Sequence, residues 1–144
     1  MGTLFKLLSD AQASLFVLFQ KTWIYHWNVV GPDFSQLHEL FGDQYTTMFE
    51  EIDRLTEHMR FLNVKPVSTL SRVVEVSAIS EASSSADAVA MLNDLLESNM
   101  GFCTMLQDIS EEAENQRQFA TANLVQDLME SHGKFVWMLR SHLQ

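Results

Sequence analysis

His26, His38, Asp53 and Glu57 are the residues whose types and spacing could do chemistry together. His26 and His38 flank a Gly31-Pro32 turn, which brings them to the same end of a helical hairpin. Asp53 and Glu57 are four residues apart and share a helix face, which Glu50 extends as a third carboxylate. Imidazoles and carboxylates converging on one point make a metal site. A di-iron centre inside a helix bundle uses Glu-x-x-His on two of its helices. None of His26, His38, His58, His132 or His142 has a Glu three residues before it, so that arrangement is absent. The single cysteine, Cys103, excludes a Cys-rich zinc or iron–sulfur site and any internal disulfide.

The separation of the two pairs sets the oligomer expectation. His38 and Asp53 fall on one helix, about 22 Å apart at the standard rise. One ion cannot span that. If both pairs serve one centre, they come from different chains, and a two-fold axis would place the histidines of one subunit against the carboxylates of the next.

Four long helices must position these groups. The first is expected from about Leu4 to Val29, with Leu4, Leu7, Leu8, Ala11, Leu15, Leu18 and Trp23 recurring at three- and four-residue steps. Gly31-Pro32 ends it, and Asp33 with Gln36 reads as a capping box for the second. The second runs from about Phe34 to Leu62 on a stripe of Leu37, Phe41, Tyr45, Met48, Ile52, Leu55 and Met59. A Ser-rich connection from Pro66 to Ser83 holds a short helix or turn around Leu70, Val73, Val74 and Val76. Ser84 with Asp87 reads as a second capping box, opening a third helix from about Ala86 to Glu112. The fourth spans about Phe119 to His142, with Leu124, Leu128, Phe135 and Leu139 near one face. This is an all-α, single-domain plan over residues 1–144: a four-helix bundle whose long crossover carries a short extra helix, as in ferritin-like architectures.

Composition narrows the function classes. The chain has 144 residues, 47% of them hydrophobic, which is one domain with a real core. With 9 basic against 19 acidic residues its net charge is -10, which repels nucleic acid and anionic membranes unless the cations cluster. They do not cluster, and Lys6 is the only Lys or Arg before Lys21. Leu4–Leu18 is broken by Lys6, Asp10 and Gln12, so it reads as neither signal peptide nor membrane span. A soluble cytoplasmic domain is expected.

The segment His26-Trp27-Asn28-Val29-Val30-Gly31-Pro32-Asp33-Phe34, then Leu37-His38-Glu39-Leu40-Phe41, Tyr45, Asp53 and Glu57, resembles the Dps family of mini-ferritins. The closing Trp137-Met138-Leu139-Arg140-Ser141-His142-Leu143 looks like that family's last helix, so the resemblance covers nearly the whole chain. It implies a homododecameric hollow shell with ferroxidase activity. Ferrous iron would bind at two-fold interfaces, be oxidised there preferentially by hydrogen peroxide, and be stored inside as ferric mineral. Carried over by position, His26 and His38 would be metal ligands and catalytic residues from one chain, and Asp53 and Glu57 from its neighbour. Glu57 could bridge two irons, and hard iron ions suit such a mixed ligand set.

Two departures stand out. The family usually carries Asp or Glu four residues after the second His, where this chain has Gly42; Asp43 points about 100° away. Acids that line the family's pores early in the last helix are replaced by Ala120 and Asn123, so pore attraction is either weaker or supplied by Glu112, Glu114 and Asp127. Two other functions remain open at this stage. One is a DNA-compacting nucleoid protein, not expected when Lys6 is the lone cationic side chain of the N-terminal arm. The other is a shell whose oxidation is impaired at Gly42. Singly, His26 or His38 reads as a helix-end packing residue. Together with Asp53 and Glu57 they read as ligands. His58, His132 and His142 read as surface or structural groups, Trp27 as an oxidisable neighbour of His26, and Cys103 as a small core residue.

Overall fold

A computed structural model describes residues 1–144. Helix α1 (Gly2–Asn28) and helix α2 (Phe34–Phe61) form a hairpin, short α3 (Leu70–Val76) lies in the crossover, and α4 (Ala88–Asn115) and α5 (Phe119–Ser141) form a second hairpin. The α1–α2 and α4–α5 interfaces are the most extensive. α1 also packs on α4 and on α3, whereas the backbones of α2 and α5 approach each other at few points and those of α2 and α4 face each other across the core. The four long helices therefore form a ring in the order α2, α1, α4, α5.

The expected stripes form the core. Leu4, Leu8, Leu15 and Leu18 of α1, Phe41, Met48 and Leu55 of α2, Phe102, Leu106 and Ile109 of α4, and Val125 and Leu139 of α5 are buried in one cluster. Each large aliphatic or aromatic side chain removed from water contributes about 1.5–3 kcal/mol before entropy is charged against it. Helix α1 is long and apolar enough to cross a membrane by length and composition, but half of that stretch is buried inside the bundle.

The helix ends differ from expectation in detail. Asp33 occupies the N-cap of α2 without a side-chain cap bond, so the box with Gln36 does not form. Asp87, not Ser84, caps α4 by accepting from the Ala90 amide, and the helix starts at Ala88. Helices α2 and α4 both end in Schellman turns. In the first, Asn63 at φ 62° directs the Val64 amide to the Met59 carbonyl; in the second, Arg117 at φ 58° directs Gln118 to Ala113. The α1–α2 turn needs Gly31, whose φ of 115° is unfavourable for any residue with a Cβ. That reversal brings the end of α1 back against the first turns of α2.

Candidate metal centre

The reversal at Gly31 brings His26 and His38 into a reciprocal clasp. Nδ1 of His26 donates to the His38 carbonyl at 2.6 Å, and Nδ1 of His38 donates to the His26 carbonyl at 2.7 Å. The rings stack at 3.8 Å between centroids and 15° between planes. A carbonyl can only accept, so Nδ1 of each ring carries a proton, and in the neutral rings both Nε2 atoms have a free lone pair. A backbone carbonyl holding the second nitrogen is how metal-ligating imidazoles are oriented and made more basic. Phe34 stacks on His38 at 5.1 Å, and Tyr45 meets His26 edge-on at 5.2 Å. Trp23 links Tyr45 to Trp27, which is 56% exposed.

Asp53 and Glu57 stand exposed on α2. The Glu57 carboxyl is raised above its ordinary value, first because its protonated form donates a hydrogen bond to Asp53 and then because the Asp53 negative charge opposes its ionisation. Two neighbouring carboxylates that repel each other in this way favour a cation between them. Glu50 is exposed one turn away. Beside Asp53 lies a groove of about 540 Å³ lined by Phe16, Phe19, Phe49 and Ile52, with Phe49 65% exposed. Nowhere does one chain gather three His, Cys, Asp or Glu side chains around a single ion position. The imidazole pair and the carboxylate pair stand as two separate groups on the chain.

The acids considered for the pores are engaged. Asp127 pairs with Arg54 at 2.9 Å, Glu112 accepts from Gln116, and Glu114 accepts from Gln126 at 3.0 Å.

Two polar clusters escaped the sequence reading. Inside the bundle, His132 of α5 bonds Asn99 of α4 through Nδ1 at 2.8 Å and Glu51 of α2 through Nε2 at 2.7 Å. All three are buried. Both lie on core stripes, His132 between Leu128 and Phe135 and Glu51 between Met48 and Leu55, and that spacing was the available signal. The second cluster joins α1 to α4 and the crossover. Lys21 contacts Asp94 at 3.1 Å and Ser98 at 2.7 Å, while Tyr25 donates to Asp94 at 2.6 Å and accepts from the Ser83 amide.

The whole chain has matches among known proteins. The Ferritin-like domain family matches over residues 5–144. A DNA protection during starvation protein from Brevibacillus brevis is 32% identical over 96% of this chain and 93% of its own length. The chain belongs to the Dps branch of the ferritin-like family. The crystal structure of Dps from Staphylococcus aureus superposes with a TM-score of 0.96 at 27% identity, covering 100% of this chain and 97% of that one. A Dps protein from Vibrio cholerae O1, described as a member of a broad superfamily of ferritin-like diiron-carboxylate proteins, superposes with a TM-score of 0.94 at 29% identity. It covers 99% of this chain and 90% of that one. Membership in this family makes the chain a mini-ferritin with a role in iron-related protection, and the Dps fold places the imidazole clasp at the hairpin end of the bundle.

Proposed function

We propose that this mini-ferritin is a cytoplasmic ferroxidase and iron store whose centres are completed between chains. His26 and His38 of one subunit and Asp53 and Glu57 of its neighbour capture ferrous iron at a two-fold interface of a homododecameric shell. The observation that carries the reading is the imidazole clasp, which leaves two Nε2 lone pairs free at one place. The carboxylate pair on the same chain, about 22 Å along the helix from His38, supports completion by a neighbour. The apolar groove beside Asp53 supports burial of that face against a second copy.

Iron is the substrate. Two ferrous ions each give one electron to a single hydrogen peroxide, whose O–O bond breaks, and with two waters the products are two FeO(OH) units and four protons. Both electrons go to one peroxide, so no hydroxyl radical is released. The chain's residues supply the binding half of this scheme. The imidazoles hold the ion by fixed lone pairs, the carboxylates neutralise its charge, and Glu57 can bridge two ions. An acidic shell attracts further cations for the mineral. Direct DNA compaction is not part of the proposal, because Lys6, the only Lys or Arg before Lys21, is paired with Asp10 at 2.8 Å.

Stopped-flow mixing of anaerobic Fe(II)-loaded protein with peroxide tests the reading. Oxidation well above the protein-free rate, lost in His26→Ala and in Asp53→Ala, is the expected outcome. A background rate that neither substitution alters would refute it.

A further inference from the structure

We propose that a cleft between α2 and α5 binds a small zwitterion, an α-amino acid with an apolar side chain, whose head group lies against the buried amide of Gln44. The cleft holds about 300 Å³, and none of His26, His38, Asp53 or Glu57 lines it. Gln44 is the observation that carries the proposal. It falls three residues after Phe41 and four before Met48, at a core step where an apolar side chain would pack. It is 1% exposed, and neither its Oε1 nor its Nε2 has a hydrogen-bond partner in the protein. Buried amides are almost always paired, because an unpaired one gives up its bonds to water for nothing. The Gln44 side chain forms part of the cleft wall. Its terminal torsion is soft, so the amide plane turns easily toward a bound molecule.

The head group of an α-amino acid matches what surrounds that amide. Gln44 offers an acceptor and a donor side by side. Asp43 on the α2 wall adds a negative charge, while Lys134 and Ser131 on the α5 wall add a positive charge and a hydroxyl. Asp43 and Lys134 pair neither with each other nor with any other charged residue. An ammonium group thus finds Asp43 and the Gln44 carbonyl, and a carboxylate finds Lys134, Ser131 and the Gln44 amino group. A singly charged ligand would leave one of the two rim charges unmatched. Leu40, Phe135 and Met138 complete the lining as an apolar wall for the ligand's side chain. Apolar walls with a few converging polar groups are the usual form of a small-molecule site.

Calorimetric titration of the full-length protein with L-leucine tests this, beside isoamylamine and isocaproate, which each lack one charge of the leucine head group. L-Leucine should bind saturably below about 10 mM. Each analogue should bind at least tenfold more weakly. Gln44→Leu keeps an apolar filling at the core step and removes the orphaned amide. It should therefore raise Tm while weakening leucine binding at least tenfold. Lys134→Ala and Asp43→Ala should each weaken binding several-fold at an unchanged Tm. Absence of saturable leucine binding, equal binding of either analogue, or wild-type affinity in Gln44→Leu or in Lys134→Ala would each overturn the proposal. A lowered Tm in Gln44→Leu would also overturn it, because the amide would then be serving the fold.

Discussion

Both imidazoles at the α1–α2 turn commit Nδ1–H to a backbone carbonyl, which turns two surface-adjacent histidines into a pair with defined lone pairs. Under the proposed assignment, replacing either ring by alanine removes one of the two imidazole ligands and frees the opposite carbonyl. Each variant is expected to lose metal affinity by about tenfold or more, with the helical circular dichroism spectrum retained. At the carboxylate pair the expectation concerns pH. Glu57 holds its proton to higher pH than an ordinary carboxylate because Asp53 bonds to it and repels its charged form. A metal must displace that proton. Affinity should therefore rise as pH climbs through the raised Glu57 pKa. Calorimetry of zinc binding in buffers of different ionisation enthalpy should show proton release in that window. In Asp53→Asn the release should move to lower pH. The nearness of His26 to His38 was legible in the chain, because Gly31-Pro32 leaves little else for the flanking residues to do. The clasp was not, because it depends on two backbone carbonyls that no side-chain pattern encodes. Gly42 was legible as a departure from a family pattern.

The elements are held together by polar ties that hydrophobic stripes do not announce. The backbones of α2 and α5 approach each other at few points, yet Glu51 and His132 join these helices through the core while Asn99 draws in α4. His132→Leu strands a buried carboxylate and a buried amide, and should cost about 3–5 kcal/mol. The double variant His132→Leu with Glu51→Met removes both partners and should recover most of that loss. Urea unfolding at fixed protomer concentration measures both. Tyr25 ties α1 to Asp94 and to the crossover, and its hydroxyl is pushed up to about 12 by burial and by the hydrogen bond to Asp94, against 10.0 for a free tyrosine. The stabilisation from that tie is complete below pH 10 and is lost as pH rises toward about 12. The stability gap between wild type and Tyr25→Phe should thus shrink by about 1–3 kcal/mol across that window. The helices themselves were readable from the three- and four-residue steps of Leu, Phe and Met. Their ends were less so: Ser84 and Asp87 both fit a cap, and only the folded backbone shows that the Ala90 amide meets Asp87.

At the scale of the whole molecule, each chain presents an imidazole pair at the hairpin end and a carboxylate pair beside an exposed aromatic groove. The separation of the two pairs was legible as the run of helix between His38 and Asp53, whereas the groove was not, since Phe16, Phe19 and Phe49 read equally well as core. The proposed two-fold arrangement makes complementation between crippled chains the most direct test. One variant carries His26→Ala and His38→Ala; the other carries Asp53→Ala and Glu57→Ala. Each alone should oxidise Fe(II) with peroxide at the background rate. Refolded together in equal amounts, half the two-fold pairs are mixed, and each mixed pair rebuilds one intact site of its two. About a quarter of wild-type activity should return on symmetry grounds. A co-assembled mixture as inactive as its parents would contradict the claim that this protein's function is shared between subunits.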